Sequence, residues 1–195
     1  MERRTLKMKD MKVRERDGAR YLEGYFAVFD KEYRVWDDWI ETIAPGAFTN
    51  TLASGRDVKA LWNHNHDIVL GSTAAHTSTL REDNIGLFGS ILINEKDQDA
   101  LNAHARVERG DVDGCSFGFN IVRMEESWVD GEYRTRILEV ELFEISPCTF
   151  PAYMDTNISA RAKDTVEDAR ERFRQAQEAK QNQWRAEMLT RLKGE

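Results

Sequence analysis

Residues Gly114 to Phe119 read GCSFGF and contain a G-x-S-x-G around Ser116. In hydrolases of the α/β class that pattern marks a nucleophile on a strand-to-helix turn, with the acid and then the histidine further along the chain. Neither condition holds here. The segment before Ser116, NEKDQDALNAHARVERG, has helical character, and the segment after it alternates as a strand. No histidine follows, since the four are His64, His66, His76 and His104. A serine hydroxyl is nevertheless activated wherever a base takes its proton and an acceptor holds the base's other ring nitrogen, and such triads occur in several chain orders. His64 and Glu144 have the right types. Each continues an otherwise apolar row of a strand, where an imidazole or a carboxylate needs a partner, and each would satisfy the other.

Other chemistries compete for the same residues. His66 shares the parity of His64 and is a rival base. His64, His66 and Asp67 together raise a metal site, but no further His or Cys pair has ligand spacing, so no metal and no cofactor are expected. Cys115 adjoins Ser116 and raises a cysteine hydrolase. Neighbouring strand residues point to opposite faces, so Cys115 and Ser116 should not both reach His64. Cys115 and Cys148 are too few for a disulfide scaffold and read as small buried side chains.

The elements that must position these residues are legible in outline. MKVRERDGARYLEGYFAVFD reads as two strands joined at Asp17-Gly18, with Gly24 marking a bulge. Pro45 and Gly55 bracket a short helix over about residues 45 to 53. DVKALWNHNH reads as a strand with Val58, Ala60, Trp62 and His64 on one face. GLFGSILI is a strand, and Asp97 and Gly110 bracket a helix with Leu101, His104 and Ala105 on one side. From Ser116 a strand places Phe117, Phe119 and Ile121 together. A hairpin at Asp130-Gly131 leads into a long strand on which Leu138, Val140, Leu142 and Glu144 share a parity. Two prolines, Pro147 and Pro151, then take the chain out of the sheet. From Arg161 onward Val166, Ala169, Phe173 and Ala176, and after a phase slip Trp184, Met188 and Leu192, follow helical spacing. No internal repeat is present.

With 195 residues and 41% hydrophobic content the chain suits one domain plus an appendage. The net charge of −7 gives no general attraction to nucleic acid or to an anionic membrane. The basic start lacks the apolar stretch of a secretory signal, and no segment has membrane-spanning length, so a cytoplasmic protein is expected.

Taken together, GYFAVFD, ETIAPGAF, LWNHNHDIVLG, NIGLFGSILI, RGDVDGCSFGF and ELFEISPCTFPAY, in this order from about Gly24 to Ala160, resemble the prohead maturation proteases of tailed double-stranded DNA phages. These are serine peptidases similar in fold to the herpesvirus assemblins. The resemblance puts the family histidine on His64, the serine on Ser116 and the acidic residue on Glu144. Assemblins use a second histidine as third member; with none after Ser116, a carboxylate is expected in that place if the triad is complete. The resemblance implies an α+β fold with a mixed, mainly antiparallel, β-barrel-like core and surrounding helices. With the change to helix formers at Arg161, the chain is expected to divide into a protease domain over 1–160 and a helical extension over 161–195. The resemblance also implies a serine endopeptidase inside the immature capsid in the host cytoplasm, cutting scaffolding segments from the major capsid protein and also itself, with a homodimer or higher oligomer possible. The non-enzymatic alternative is a capsid scaffold or assembly chaperone that keeps the fold.

Overall fold

The computed structural model describes residues 2–6, 11–36, 38–149 and 156–192, with side chains for 11–36, 38–149 and 165–184. The strands are β1 (Glu2–Leu6), β2 (Lys12–Arg16), β3 (Ala19–Val28), β4 (Tyr33–Trp36), β5 (Trp39–Ile43), β6 (Lys59–Trp62), β7 (Asn65–Ser72), β8 (Ser78–Glu82), β9 (Gly86–Leu92), β10 (Gly114–Val129) and β11 (Glu132–Cys148). The helices are α1 (Thr49–Ala53), α2 (Gln98–Glu108) and α3 (Thr156–Leu192). The fold is a strand-rich α+β arrangement.

Two sheets carry the core. β2-β3-β9-β8 form an antiparallel four-stranded sheet, and β1-β10-β11-β5-β4, with β6 on β11 and β7 on β6, form a seven-stranded one. No closed barrel is found among the described strands. Leu22, Phe26, Leu87 and Ile91 of the smaller sheet share one buried cluster with Phe117, Phe119, Leu142 and Ile145 of the larger. Full burial of each such side chain is worth about 1.5–3 kcal/mol. Gly89 makes room in this layer, because a Cβ there would lie 2.6 Å from the Phe26 ring.

β11 organises the larger sheet. β10 runs antiparallel along one of its edges, while on the other edge β5 pairs in parallel with Tyr133–Ile137 and β6 pairs in parallel with Glu144 and Ile145. Between β5 and β6 the edge has no strand, and its polar groups are satisfied by the turn and helix at 47–51. The Val140 N–H donates to the Ala47 carbonyl at 3.0 Å. The buried Thr51 hydroxyl donates to the Val140 carbonyl at 2.8 Å and accepts the Leu142 N–H at 3.2 Å.

Several sequence expectations are met: both two-residue hairpins turn where expected, with positive φ at Asp17, Gly18, Asp130 and Gly131, and Asp97 caps α2 by accepting the Asp99 N–H at 2.9 Å. Others are corrected. Pro45 lies in a turn and the helix starts only at Thr49, because Gly46 takes a left-handed φ of 87° that no helix continues through. The irregularity expected at Gly24 falls between Tyr25 and Ala27, while Gly24 pairs regularly with Gly89. On α2 the buried residues are Ala100, Ala103, His104 and Val107, and Ala105 is exposed. Pro147 stays inside β11, opposite Cys115; Pro151 lies outside the described residues.

α3 begins at Thr156, five residues before the expected start. Val166 and Ala169 are buried against Tyr133, with Phe173, Trp39 and Trp128 around them. Arg172 donates to Glu126 at 2.9 Å, and the Tyr133 hydroxyl donates to the same carboxylate. Burial and that carboxylate push the Tyr133 phenol above its usual range. Beyond this contact Ala176 and Trp184 are exposed, and the side chains of Met188 and Leu192 lie outside the description.

Candidate active site

Sequence parity puts His64 at the end of a strand face, but β6 stops at Trp62, which pairs with Asn65. Asn63 and His64 form the two-residue turn of the β6–β7 hairpin, with φ of 52° and 60°, the double left-handed conformation that such turns require. The turn, rather than strand alternation, aims the imidazole. Hydrogen bonds fasten it to the end of β11 and to Thr149 just beyond it. The Asn63 N–H donates to the Pro147 carbonyl at 3.0 Å, the Asn63 side chain accepts the Thr149 N–H at 2.8 Å, and the His64 N–H donates to the Ser146 hydroxyl at 3.2 Å.

Glu144 reaches His64 through a second departure from simple alternation. Gly118 pairs with Glu144 and Phe119 with Leu142, so Phe143 is an extra residue on β11. Gly118 and Phe119 point to opposite faces, hence so do Glu144 and Leu142. Leu142 enters the core, and Glu144 is turned to the outer face of the sheet. The sequence expectation that the two share a row fails because of this bulge. On the outer face the Glu144 carboxylate is 2% exposed. Its Oε1 lies 2.7 Å from His64 Nδ1, and its Oε2 accepts the Ser146 hydroxyl at 2.6 Å. A carboxylate this buried is tolerable only with such partners. Lys59 stands beside it in register, yet its ammonium turns to Asp57 at 2.5 Å. That bond, with Ser72 and the Ala74 N–H, holds the Asp57 carboxyl well below the usual carboxylate range.

Ser116 lies on β10 directly opposite Ser146 of β11. Residues so paired point to one face with Cα atoms about 4.5–5.5 Å apart. Ser116 therefore shares the outer face with Ser146 and Glu144, and it has no exposed surface. The strand order brings Ser116, Ser146, Glu144 and His64 into one cluster, with Ser146 in the middle. With Nδ1 engaged by the carboxylate, Nε2 is the ring nitrogen left to accept a proton.

The rival residues fall elsewhere. His66 and Asp67 are exposed, and the Asp67 N–H turns back to Asn65. Cys115 pairs with Pro147, which puts it on the opposite face from Ser116. No group of three His, Cys, Asp or Glu comes together as a metal site among the described residues. Gly71 of β7 is too far away to serve as an oxyanion donor: it pairs with Ala60, Ala60 with Ile145, and Ile145 with Phe117. That is three strand spacings from β10, roughly 14 Å. Its missing Cβ serves packing instead, against Thr77, Ser78 and Ile91.

Sequence reasoning did not single out Ser146 or Asn63. Ser146 follows Glu144 by two, the spacing that keeps a strand residue on the same face. Asn63 is one of the few residue types that accept a left-handed turn position, and it precedes the histidine.

A buried carboxylate–imidazole pair and Ser116 thus share one face of a strand-rich α+β body. A family profile described as caudovirus prohead serine protease matches residues 9–171. The chain belongs to that family, whose members are serine peptidases of phage capsid maturation. Among curated proteins and among solved structures nothing matches the chain.

Proposed function

We propose that the protein is the endopeptidase that removes scaffolding segments from the capsid protein inside the prohead, and that it also cuts itself. The observation that carries the reading is the His64–Glu144 pair at 2.7 Å on the face that Ser116 occupies. In this reading His64 Nε2 takes the proton of Ser116 as Oγ attacks the scissile carbonyl, and Glu144 holds the tautomer and stabilises the imidazolium. The protonated imidazole then passes that proton to the departing amine. His64 next draws a proton from the water that attacks the acyl-enzyme, then returns it to Ser116 Oγ as the Oγ–carbonyl bond breaks and the second product leaves. Backbone donors must hold the oxyanion in both steps.

The domain reading accompanies it: residues 1–160 as the protease body, a barrel-like relative of the assemblin core, and 161–195 as a helical extension. The extension contacts scaffold or capsid protein beyond its docking on Tyr133. The protein works in the host cytoplasm within the immature shell, as a homodimer or higher oligomer, without a cofactor.

The test is co-expression with the capsid protein. Wild-type chain should shorten the capsid protein and itself, and Ser116→Ala should do neither. Labelling with a serine-reactive phosphonate should map to Ser116. Unchanged processing by Ser116→Ala would sink the reading.

A further inference from the structure

The strand that carries Ser116 has two edges. One is taken by β11, the side from which Ser146, Glu144 and His64 face the serine. The other is taken by the chain's own N-terminal strand: β1 pairs antiparallel with β10, Glu2 opposite Phe119, Arg3 opposite Gly118, Arg4 opposite Phe117, Thr5 opposite Ser116 and Leu6 opposite Cys115. The backbone around Thr5 thus lies within one strand spacing of the serine, and Ser116 has no exposed surface.

An endopeptidase must hold a polypeptide in extended form with one carbonyl beside its nucleophile. Adding the peptide as a strand does this with main-chain hydrogen bonds and little demand on sequence. Oγ stands out of the plane of the sheet, and the peptide groups of an added strand lie near that plane. Attack would therefore come from above the carbonyl, the direction the reaction needs. The base and acid crowd the β11 side, so the edge for such a strand is the one β1 holds.

We infer that the β1-facing edge of β10 is the peptide-binding edge of this protease, and that β1 is an exchangeable occupant which substrate replaces. The inference rests on Ser116 being the nucleophile. A substrate segment in place of β1 sets its scissile bond at the level of Thr5, and the free edge forms only while β1 is displaced. A short edge strand is suited to exchange, since five residues of ladder, Glu2–Leu6, are all that must separate.

The register supplies the test. Leu6→Cys in the full chain puts a thiol opposite the native Cys115, at the Cα separation that a disulfide spans. Mass mapping should find this bridge after oxidation; its failure to form would contradict the pairing and overturn the inference. Oxidised protein should react with a fluorophosphonate at Ser116 at least tenfold more slowly than the same protein reduced with dithiothreitol. Thr5→Pro, which disfavours a paired strand, should act in the opposite direction and label faster than wild type. Equal rates in the bridged and reduced states, with Ser116 labelled in both, overturn the inference and leave the serine reading standing. No labelling of Ser116 in the wild type overturns the serine reading and this inference with it.

Discussion

Ser146 donates its hydroxyl to Glu144 Oε2 at 2.6 Å and accepts the His64 main-chain N–H at 3.2 Å. One side chain thus fixes both the carboxylate and the turn that presents the imidazole. Ser146→Ala removes both bonds and leaves a buried carboxylate oxygen and an amide short of a partner. The expected result is a fall of about 10–100-fold in the phosphonate labelling rate of Ser116, the range seen when a supporting bond behind a reacting group is lost. Thr should restore part of the rate. A purely structural role would lower thermal stability and leave the pH–rate profile in place, so a shifted profile marks positioning.

Glu144→Gln keeps the shape and removes the charge that, in the proposed mechanism, stabilises the imidazolium. Labelling of Ser116 should drop by about 10³-fold or more, by analogy with carboxylate loss in other triads. Circular dichroism should remain native. A rate within threefold of wild type would assign the third role to another residue.

Thr51→Val tests the plug between β5 and β6. The hydroxyl is the donor to the Val140 carbonyl and the acceptor for the Leu142 N–H, and valine matches its shape without either function. Two buried backbone groups lose their partner, at about 1–3 kcal/mol each. Urea denaturation should show a matching fall in midpoint with an unchanged slope.

Asp57 gives a pH-dependent contribution. Its carboxyl is held below its ordinary value by the bond to Lys59, then Ser72 and the Ala74 N–H. A lowered folded-state value means stabilisation that is complete above the unfolded value of about 4 and lost as pH falls through the folded one. Asp57→Asn should therefore lower stability at neutral pH and flatten its dependence below about pH 4, as followed by denaturant midpoints at several pH values. Because the side chain is partly exposed, solvent screening keeps the effect modest.

Turn chemistry and alternation made most of the fold readable. Asp17-Gly18, Asp130-Gly131 and the Asp97 cap are local signals, decided within a few residues, and the structure follows them. The departures arise where pairing between distant strands overrides local period. His64 looked like a strand residue because Val58, Ala60 and Trp62 alternate before it, but β6 ends at Trp62, two residues earlier than alternation suggests. Glu144 looked like a member of the Leu142 row because nothing in ELFEIS marks Phe143 as extra; the mismatch exists only against β10. The approach of His64 to Glu144 was inferred from two polar residues that each needed a partner, and the structure brings them together by a route that parity did not predict. Pro147 reads locally as a strand breaker, yet the penultimate position of β11 tolerates it, and its carbonyl serves the histidine turn.

The extra residue at Phe143 switches the reading frame of β11 just ahead of Glu144. Immediately before it, Val140 and Leu142 belong to the hydrophobic interior; after it, the same parity carries Glu144 and Ser146 on the outer face. Losing one residue there would rotate everything from Glu144 onward by half a turn of the strand. The carboxylate would enter an apolar layer, and Ile145 would replace it beside the imidazole. Substitutions in this strand are therefore far safer than changes in its length, and the spacing between Leu142 and Ser146 is as much a part of the site as the groups it carries.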